Sequence, residues 1–225
     1  FASQFDLITV DLLGQGGSGC IGYGHKMEDQ AEAVLAVLES EDVEKCVMIG
    51  HSMGGYVTLA FREKFEARLA GFGLFHSTAY PDTEAKKIDR ERAVTAIMNH
   101  PNLFIEMTIP MLFAPSRREE LNAEIDLAIM LAKVHSQQGV IANTRGMKDR
   151  LDRSELLKKG SMPVLFVQGN EDLVLSNELA QKQIENCPKV TAHFIDDVGH
   201  MGHLEAREKC FYAISSFMNE VFVNG

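Results

Sequence analysis

Apolar and polar positions change period along this chain, and the changes divide it into short elements. Five runs are almost continuously apolar and have the length of buried strands. Between them lie segments whose apolar residues recur at helical spacing. Continuously apolar strands that alternate with helices predict an α/β fold with a mostly parallel sheet covered on both faces. The expected strands are residues 5–10, 43–49, 69–76, 163–168 and 190–196, and the expected helices are 27–38, 55–64, 176–186 and 204–222.

The alternation stops between residue 80 and about residue 159. This stretch contains no convincing strand, and residues 84–100, 117–134 and 136–151 have helical patterns. An all-helical insertion between two sheet strands is typical of a lid over a site. We therefore predict three segments: a first core part at 1–79, a helical cap at 80–159 and a second core part at 160–225.

Composition excludes some partners. The chain has 225 residues and a formal net charge of −10, so a nucleic acid or an anionic membrane surface is not expected to bind it. No apolar run approaches the ~20 residues of a membrane-spanning helix. The four cysteines form no C-x-x-C pair, which favours a reduced, cytoplasmic protein. The oligomeric state stays open.

The most informative motif is G-x-S-x-G at residues 50–54, between an expected strand and an expected helix. A tight strand-to-helix turn projects a serine hydroxyl from the sheet edge, and this context predicts Ser52 as a nucleophile. The backbone N–H of Met53 would point into the same space and stabilise an oxyanion.

An activated serine needs a base and an acid that orients the base. Asp172 ends the loop after the 163–168 strand, and His200 ends the loop after the 190–196 strand. The order Ser, Asp, His agrees with the nucleophile motif. Glu171 is a local rival for the acid, and His203 is a local rival for the base.

The acid could also follow the 69–76 strand. That loop offers His76, Ser77 and Thr78, and its first carboxylate is Asp82. Because Asp82 lies several residues beyond the end of that strand, Asp172 is favoured as the acid.

The sequence also contains residues that could form a metal site or a dinucleotide site. His200, His203 and Glu205 could in principle hold a metal, but their spacing differs from that of paired zinc ligands, so no metal is expected. Residues 14–19 match G-x-G-x-x-G, yet this glycine-rich loop continues to Gly24 before any helix, and the next strand ends in the serine motif. No dinucleotide, and no other cofactor, is expected.

Apolar residues of the cap could line a pocket for a small-molecule acyl substrate. Met107, Met111 and Met130 are predicted substrate contacts, because methionine adapts to irregular apolar groups. His51, beside the nucleophile, is a fourth predicted substrate contact.

Together these segments resemble the α/β-hydrolase fold family, in its helical-cap branch. The resemblance rests on residues 11–18, 50–55, 163–172 and 199–205. It implies the α/β-hydrolase fold, and a serine at position 52 differs from the aspartate nucleophile of the dehalogenase and epoxide-hydrolase relatives. In that family further strands and a second oxyanion donor precede the segment seen here, so we expect the chain to lack its N-terminal strands.

The expected activity is a serine hydrolase that cleaves a small or medium acyl ester through an acyl-enzyme intermediate. The same triad could act on another bond, such as a carbon–carbon, lactone or thioester bond, or in perhydrolysis. A protein that senses a ligand and turns it over slowly is the alternative from another class.

Overall fold

The structure, a computed structural model, describes residues 4–160 and 162–223, and within them four parallel strands form one sheet. The strands lie in chain order across the sheet. Their carboxyl ends share one edge, because Phe75 lies opposite both His51 and Val167, and Gly169 lies opposite Ile195. The strands are β1 Cys46–His51, β2 Leu69–Phe75, β3 Val164–Gly169 and β4 Val190–Ile195.

Helices precede, connect and follow the strands. They are α1 Met27–Ser40, α2 Met53–Phe65, α3 Glu84–Asn99, α4 Pro101–Thr108, α5 Asn122–Ala132, α6 Gln137–Lys148, α7 Ser154–Lys158, α8 Asn177–Glu185, α9 Gly202–Glu205 and α10 Arg207–Val223. None of those within the described ranges is long and apolar enough to cross a lipid bilayer.

Two apolar layers cover the sheet. On one face, α1 and α2 pack against strand residues such as Phe72 and Phe166. On the other face, Phe217 and Val221 of α10 pack against Leu165 and Val167. This arrangement explains why β2 is apolar along its whole length and β3 is apolar up to Gln168, and it confirms the predicted α/β fold.

The predicted strand at residues 5–10 is wrong. The structure has no strand there, and Leu7 and Ile8 expose 51% and 41% of their surface. Among the described residues, β1 pairs only with β2, and no strand lies beside residues 5–10. An apolar run becomes a strand only where a neighbour accepts and donates its backbone hydrogen bonds, so the local pattern alone misled the prediction.

The segment between β2 and β3 contains helices α3 to α7, and its helical character is as the pattern predicted. Two short 3₁₀ turns, which the pattern did not predict, lie at residues 109–112 and 115–117 and separate α4 from α5. The proposed limits of the three segments stay a prediction, and residues 1–3, 161 and 224–225 lie outside the described part of the chain.

The glycine-rich loop is the place where cap helix α6 meets the core. A Cβ on Gly139 would overlap the Gly14 carbonyl, and a Cβ on Gly146 would overlap the His25 carbonyl. Beside this contact, buried Asn143 accepts a hydrogen bond of 2.8 Å from Gln30 Nε2 and donates one of 3.1 Å to the Leu13 carbonyl. The loop therefore serves as a docking surface for the cap, and α1 begins only after it.

Candidate active site

Ser52 occupies a strained turn between β1 and α2. Its backbone has φ 51° and ψ −115°, a conformation that a residue with a side chain adopts only where the surroundings enforce it. Gly50 makes the turn possible, because a Cβ there would overlap the Gly54 carbonyl. The Ser52 amide donates to the Phe75 carbonyl at 2.9 Å, and Ser77 Oγ donates to the Ser52 carbonyl at 2.7 Å. Both contacts fix the serine at the carboxyl edge of the sheet.

Ser52, His200 and Asp172 form one continuous chain of hydrogen bonds. His200 Nε2 lies 2.8 Å from Ser52 Oγ, and His200 Nδ1 lies 2.8 Å from Asp172 Oδ2. The other carboxylate oxygen of Asp172 accepts the backbone amides of Val174 and Leu175 at 2.8 and 3.1 Å. The structure therefore brings together the three residues that the sequence singled out.

The environment keeps Asp172 ionised. Burial of the carboxyl group alone would raise its pKa, but hydrogen bonds from His200 and His76 outweigh burial and hold the pKa well below its usual value. An ionised, buried carboxylate next to an imidazole can orient the ring and stabilise its cationic form.

The two local rivals lie elsewhere. Glu171 points to the cap, where it accepts hydrogen bonds from the amide and the hydroxyl of Ser116 at 3.0 and 2.6 Å. His203 stands beside His51, with ring centroids 4.9 Å apart. Although part of its ring is open to solvent, desolvation first, and then nearby His76 and His200, lower the pKa of His203 to about 4.

His76 is a site residue that the sequence analysis did not select. It follows β2 directly, has φ 47° and is buried, and its Nδ1 lies 3.2 Å from Asp172 Oδ2. The loop after this strand has no carboxylate before Asp82, and a search of the pattern for an acid therefore does not point to the histidine. Its place at the carboxyl end of a parallel strand was the available signal.

Glu205 is the second such residue. It is buried, and its carboxylate accepts the amides of Gly199 and Met201, at 3.0 and 2.9 Å, on either side of His200. It also accepts the amide of Ala114, from the cap, at 2.8 Å. The His200 amide itself donates to the Leu112 carbonyl of the cap at 2.6 Å. Glu205 thus ties residues 196–201, the loop between β4 and α9 that carries His200 and is called the base loop below, to the cap.

These contacts bear on the possible metal sites. The oxygens of Glu205 are occupied by three backbone amides, which is the surrounding of a structural carboxylate and not of a metal ligand. Ligand atoms of His76, Asp172 and His200 lie within 4.8 Å of one another, but they are engaged in the hydrogen bonds of 2.8 and 3.2 Å described above. This donor set fits proton-transfer chemistry.

The predicted substrate contacts lie in two different surroundings. His51 is turned beneath the base loop, where its Nε2 donates to the His200 carbonyl at 2.8 Å. Desolvation, together with His200 and His203, lowers the pKa of His51 well below its ordinary value. Met107, Met111 and Met130 lie on the cap with 66%, 49% and 58% of their surface exposed. A role in substrate binding stays a prediction for all four.

Met53 is the first residue of α2. The amides of a helix's first turn have no acceptor within the helix and carry its partial positive charge. The Met53 N–H therefore fits the oxyanion role predicted for it, which stays a prediction.

The fold and sequence are similar to those of known hydrolases. An esterase from Thermogutta terrifontis, solved with malate bound, superimposes with a TM-score of 0.88 at 30% identity, covering 93% of this chain and 78% of the esterase. An enol-lactonase from Burkholderia xenovorans has a TM-score of 0.82 at 16% identity, with 93% and 79% covered. A 2-hydroxy-6-oxononadienedioate/2-hydroxy-6-oxononatrienedioate hydrolase from Burkholderia vietnamiensis is 23% identical over 221 residues, which are 95% of this chain and 76% of that protein.

The family described as serine aminopeptidase, S33, matches residues 1–207. The matched segment contains the strands, the cap helices and all three residues of the hydrogen-bond chain. The chain belongs to this family of α/β hydrolases, and it is a hydrolase.

Proposed function

We propose that the protein is a serine hydrolase that cleaves small or medium acyl esters through an acyl-enzyme intermediate. The observation that carries the proposal is the unbroken hydrogen-bond chain from Ser52 through His200 to Asp172. A nucleophile, a base and an ionised orienting acid in this order are what acyl transfer requires.

Each residue has a defined part in the proposed reaction. Ser52 Oγ attacks the acyl carbonyl while His200 Nε2 takes its proton, and His200 then gives this proton to the leaving alcohol. Asp172 holds the His200 ring with Nδ1 protonated and stabilises the imidazolium. Water, deprotonated by His200, then attacks the acyl-enzyme; the bond from the acyl carbon to Ser52 Oγ breaks, His200 returns the proton to Oγ, and the acid is released.

The negative charge that develops on the carbonyl oxygen needs donors. The Met53 N–H at the start of α2 is the donor proposed here, and the positive end of the helix acts in the same sense.

The choice of an ester rests on two supports. The Thermogutta terrifontis protein, at 30% identity over 93% of this chain, is described as an esterase. The cap also carries exposed apolar side chains, among them Leu103, Met107 and Met130, that suit a substrate with an apolar part.

A second candidate is the same triad acting on another bond. Relatives at 23% and 16% identity are described as a 2-hydroxy-6-oxononadienedioate hydrolase and an enol-lactonase. A protein that senses a ligand and turns it over slowly would differ from both enzymes by its low turnover number.

The test is steady-state hydrolysis of p-nitrophenyl esters of increasing acyl length, a lactone and a vinylogous 1,5-diketone. The proposal expects turnover of a short or medium ester that Ser52→Ala abolishes. Ser40→Ala is the matched control, because its exposed hydroxyl donates only to the Val37 carbonyl at the end of α1. Faster turnover of the lactone or diketone would move the assignment to the second candidate, and turnover that persists in Ser52→Ala would overturn the mechanism.

A further inference from the structure

Asp172 is approached by two imidazole rings on the same oxygen. His200 Nδ1 lies 2.8 Å from Oδ2, and His76 Nδ1 lies 3.2 Å from it. The two ring centroids are 5.7 Å apart, and the planes meet at 65°, so each ring directs one nitrogen at the carboxylate without stacking on the other. The mechanism above uses only the first of these contacts.

The surroundings of His76 are shaped to hold its ring in this place. Its backbone has φ 47°, a strained value for a residue with a side chain. Gly202, at the start of α9, leaves room for the ring, because a Cβ there would lie 2.5 Å from His76 Nε2. Phe75 contacts the ring edge-on, with centroids 4.7 Å apart. A buried side chain held by strain at the end of β2 indicates a specific task.

The hydrogen bonds around the ring select one tautomer. A neutral imidazole carries a single N–H, and burial lowers the pKa of His76 below its ordinary value, which favours the neutral form. Nδ1 can either donate to Asp172 or accept from the Gly169 amide, which lies 3.3 Å away. A bond to an ionised oxygen is the stronger of the two, and an Nδ1 lone pair facing the carboxylate would be repelled.

The remaining nitrogen agrees with this choice. Within the described part of the chain, Nε2 of His76 is buried without a hydrogen-bond partner. A bare lone pair there is tolerated better than a buried N–H without an acceptor, because backbone and side-chain donors are rarely left unpaired.

We propose that His76 is a positioning residue for the acid of the triad: as the Nδ1–H tautomer it donates a second hydrogen bond to Asp172 Oδ2. This hydrogen bond would fix the orientation of the Asp172 carboxylate, and His76 and His200 would then share the negative charge of that carboxylate. This inference rests on the proposed function for its catalytic consequence, while the tautomer itself does not depend on it.

The first test reads the tautomer in the wild-type protein. Heteronuclear NMR of ¹⁵N-histidine-labelled protein at neutral pH, with His76→Asn used to assign the signal, distinguishes a protonated Nδ1 from a protonated Nε2. The proposal expects the Nδ1–H form, which is the minor tautomer of free histidine. An Nε2–H form would overturn it, because Nδ1 would then accept from Gly169.

The second test uses two variants in ester hydrolysis. Asn places an amide N–H close to the position of Nδ1, whereas His76→Leu keeps the bulk and removes the donor. We expect His76→Leu to lower kcat about tenfold with KM nearly unchanged, and His76→Asn to restore most of the loss. Equal kcat values for His76→Leu and His76→Asn, with both variants folded, would contradict the proposal.

The outcomes separate this inference from the proposed function. If the wild-type protein hydrolyses no ester but shows His76 as the Nδ1–H tautomer, the proposed function is contradicted while the hydrogen bond from His76 to Asp172 is supported. If His76→Leu does not fold, the NMR measurement on the wild type still decides.

Discussion

Glu205 supports the base loop, and replacing it with glutamine is the most informative single change. The carboxylate accepts the amides of Gly199, Met201 and Ala114 at distances of 2.8 to 3.1 Å, and the residue is 6% exposed. Glutamine has nearly the same shape, but one of its two terminal groups is a donor. Whichever way the amide turns, its NH₂ faces at least one backbone N–H.

The expected loss of stability follows from these contacts. A buried donor left without an acceptor costs about 1–3 kcal/mol. The hydrogen bonds that remain are no longer made to a charged oxygen, which adds roughly 1 kcal/mol to the loss of stability. We therefore expect Glu205→Gln to lower the free energy of unfolding by about 2–4 kcal/mol, a large part of a typical total of roughly 5–15 kcal/mol.

The same change should reduce activity, because the two amides that flank His200 are loosened. A displacement of a catalytic group by ~1 Å costs about 10²-fold, so we expect kcat to fall roughly 10- to 100-fold with little change in KM.

The assay is urea unfolding followed by far-UV circular dichroism, because the chain contains no tryptophan for fluorescence. Glu208→Gln, an exposed carboxylate in the first turn of α10, is the matched control and should change stability by no more than about 0.5 kcal/mol. A loss below 1 kcal/mol in Glu205→Gln, with kcat unchanged, would refute the role assigned to this carboxylate.

Three further predictions concern the acid, the cap and the response to pH. Asp172→Asn should lower kcat by roughly 10³–10⁴-fold, whereas Glu171→Gln, which loses only its contact to the cap, should stay within about threefold in the same ester assay; the reverse ranking would move the acid to Glu171. Gly146→Ala should lower the thermal midpoint by several degrees in calorimetry, because its Cβ would overlap the His25 carbonyl, and an unchanged midpoint would show that the cap does not dock as described. The pKa values of His51 and His203 are lowered in the folded protein, so the unfolded chain binds more protons below pH ~6.5. Stability measured by denaturant titration should therefore decrease as the pH is lowered from ~6.5 to about 4, and a flat profile over this range would contradict the neutral state assigned to these rings.

Local patterns predicted most of the fold, because the side of an element that is buried leaves a recognisable spacing of apolar residues in its own sequence. Strand β2 and, except for Gln168, strand β3 are apolar since both faces of the sheet are covered, and this property is visible in the sequence. Residues 5–10 show the limit of the method. Their pattern is also largely apolar, but a strand needs a hydrogen-bonding neighbour as well, and the pattern does not contain that information.

The residues of the candidate site likewise divide into those that local patterns predict and those that they do not. Ser52, Asp172 and His200 could be selected because each ends a recognisable strand-loop motif. The structure joins them through His200, which lies 2.8 Å from Ser52 Oγ and 2.8 Å from Asp172 Oδ2. His76 and Glu205 act through contacts to residues 96 and 91 positions away, Asp172 and Ala114. Such contacts depend on register and cap docking, which a single sequence does not reveal.

The central claim is that Ser52 is activated by His200 and Asp172. Intact-mass analysis after reaction with a fluorophosphonate probe tests it most directly. The account predicts one adduct per chain on Ser52, absent in Ser52→Ala and formed far more slowly in His200→Ala, with Ser40→Ala labelled at the wild-type rate. A folded protein that forms no adduct, or an adduct that persists in Ser52→Ala, would contradict the claim.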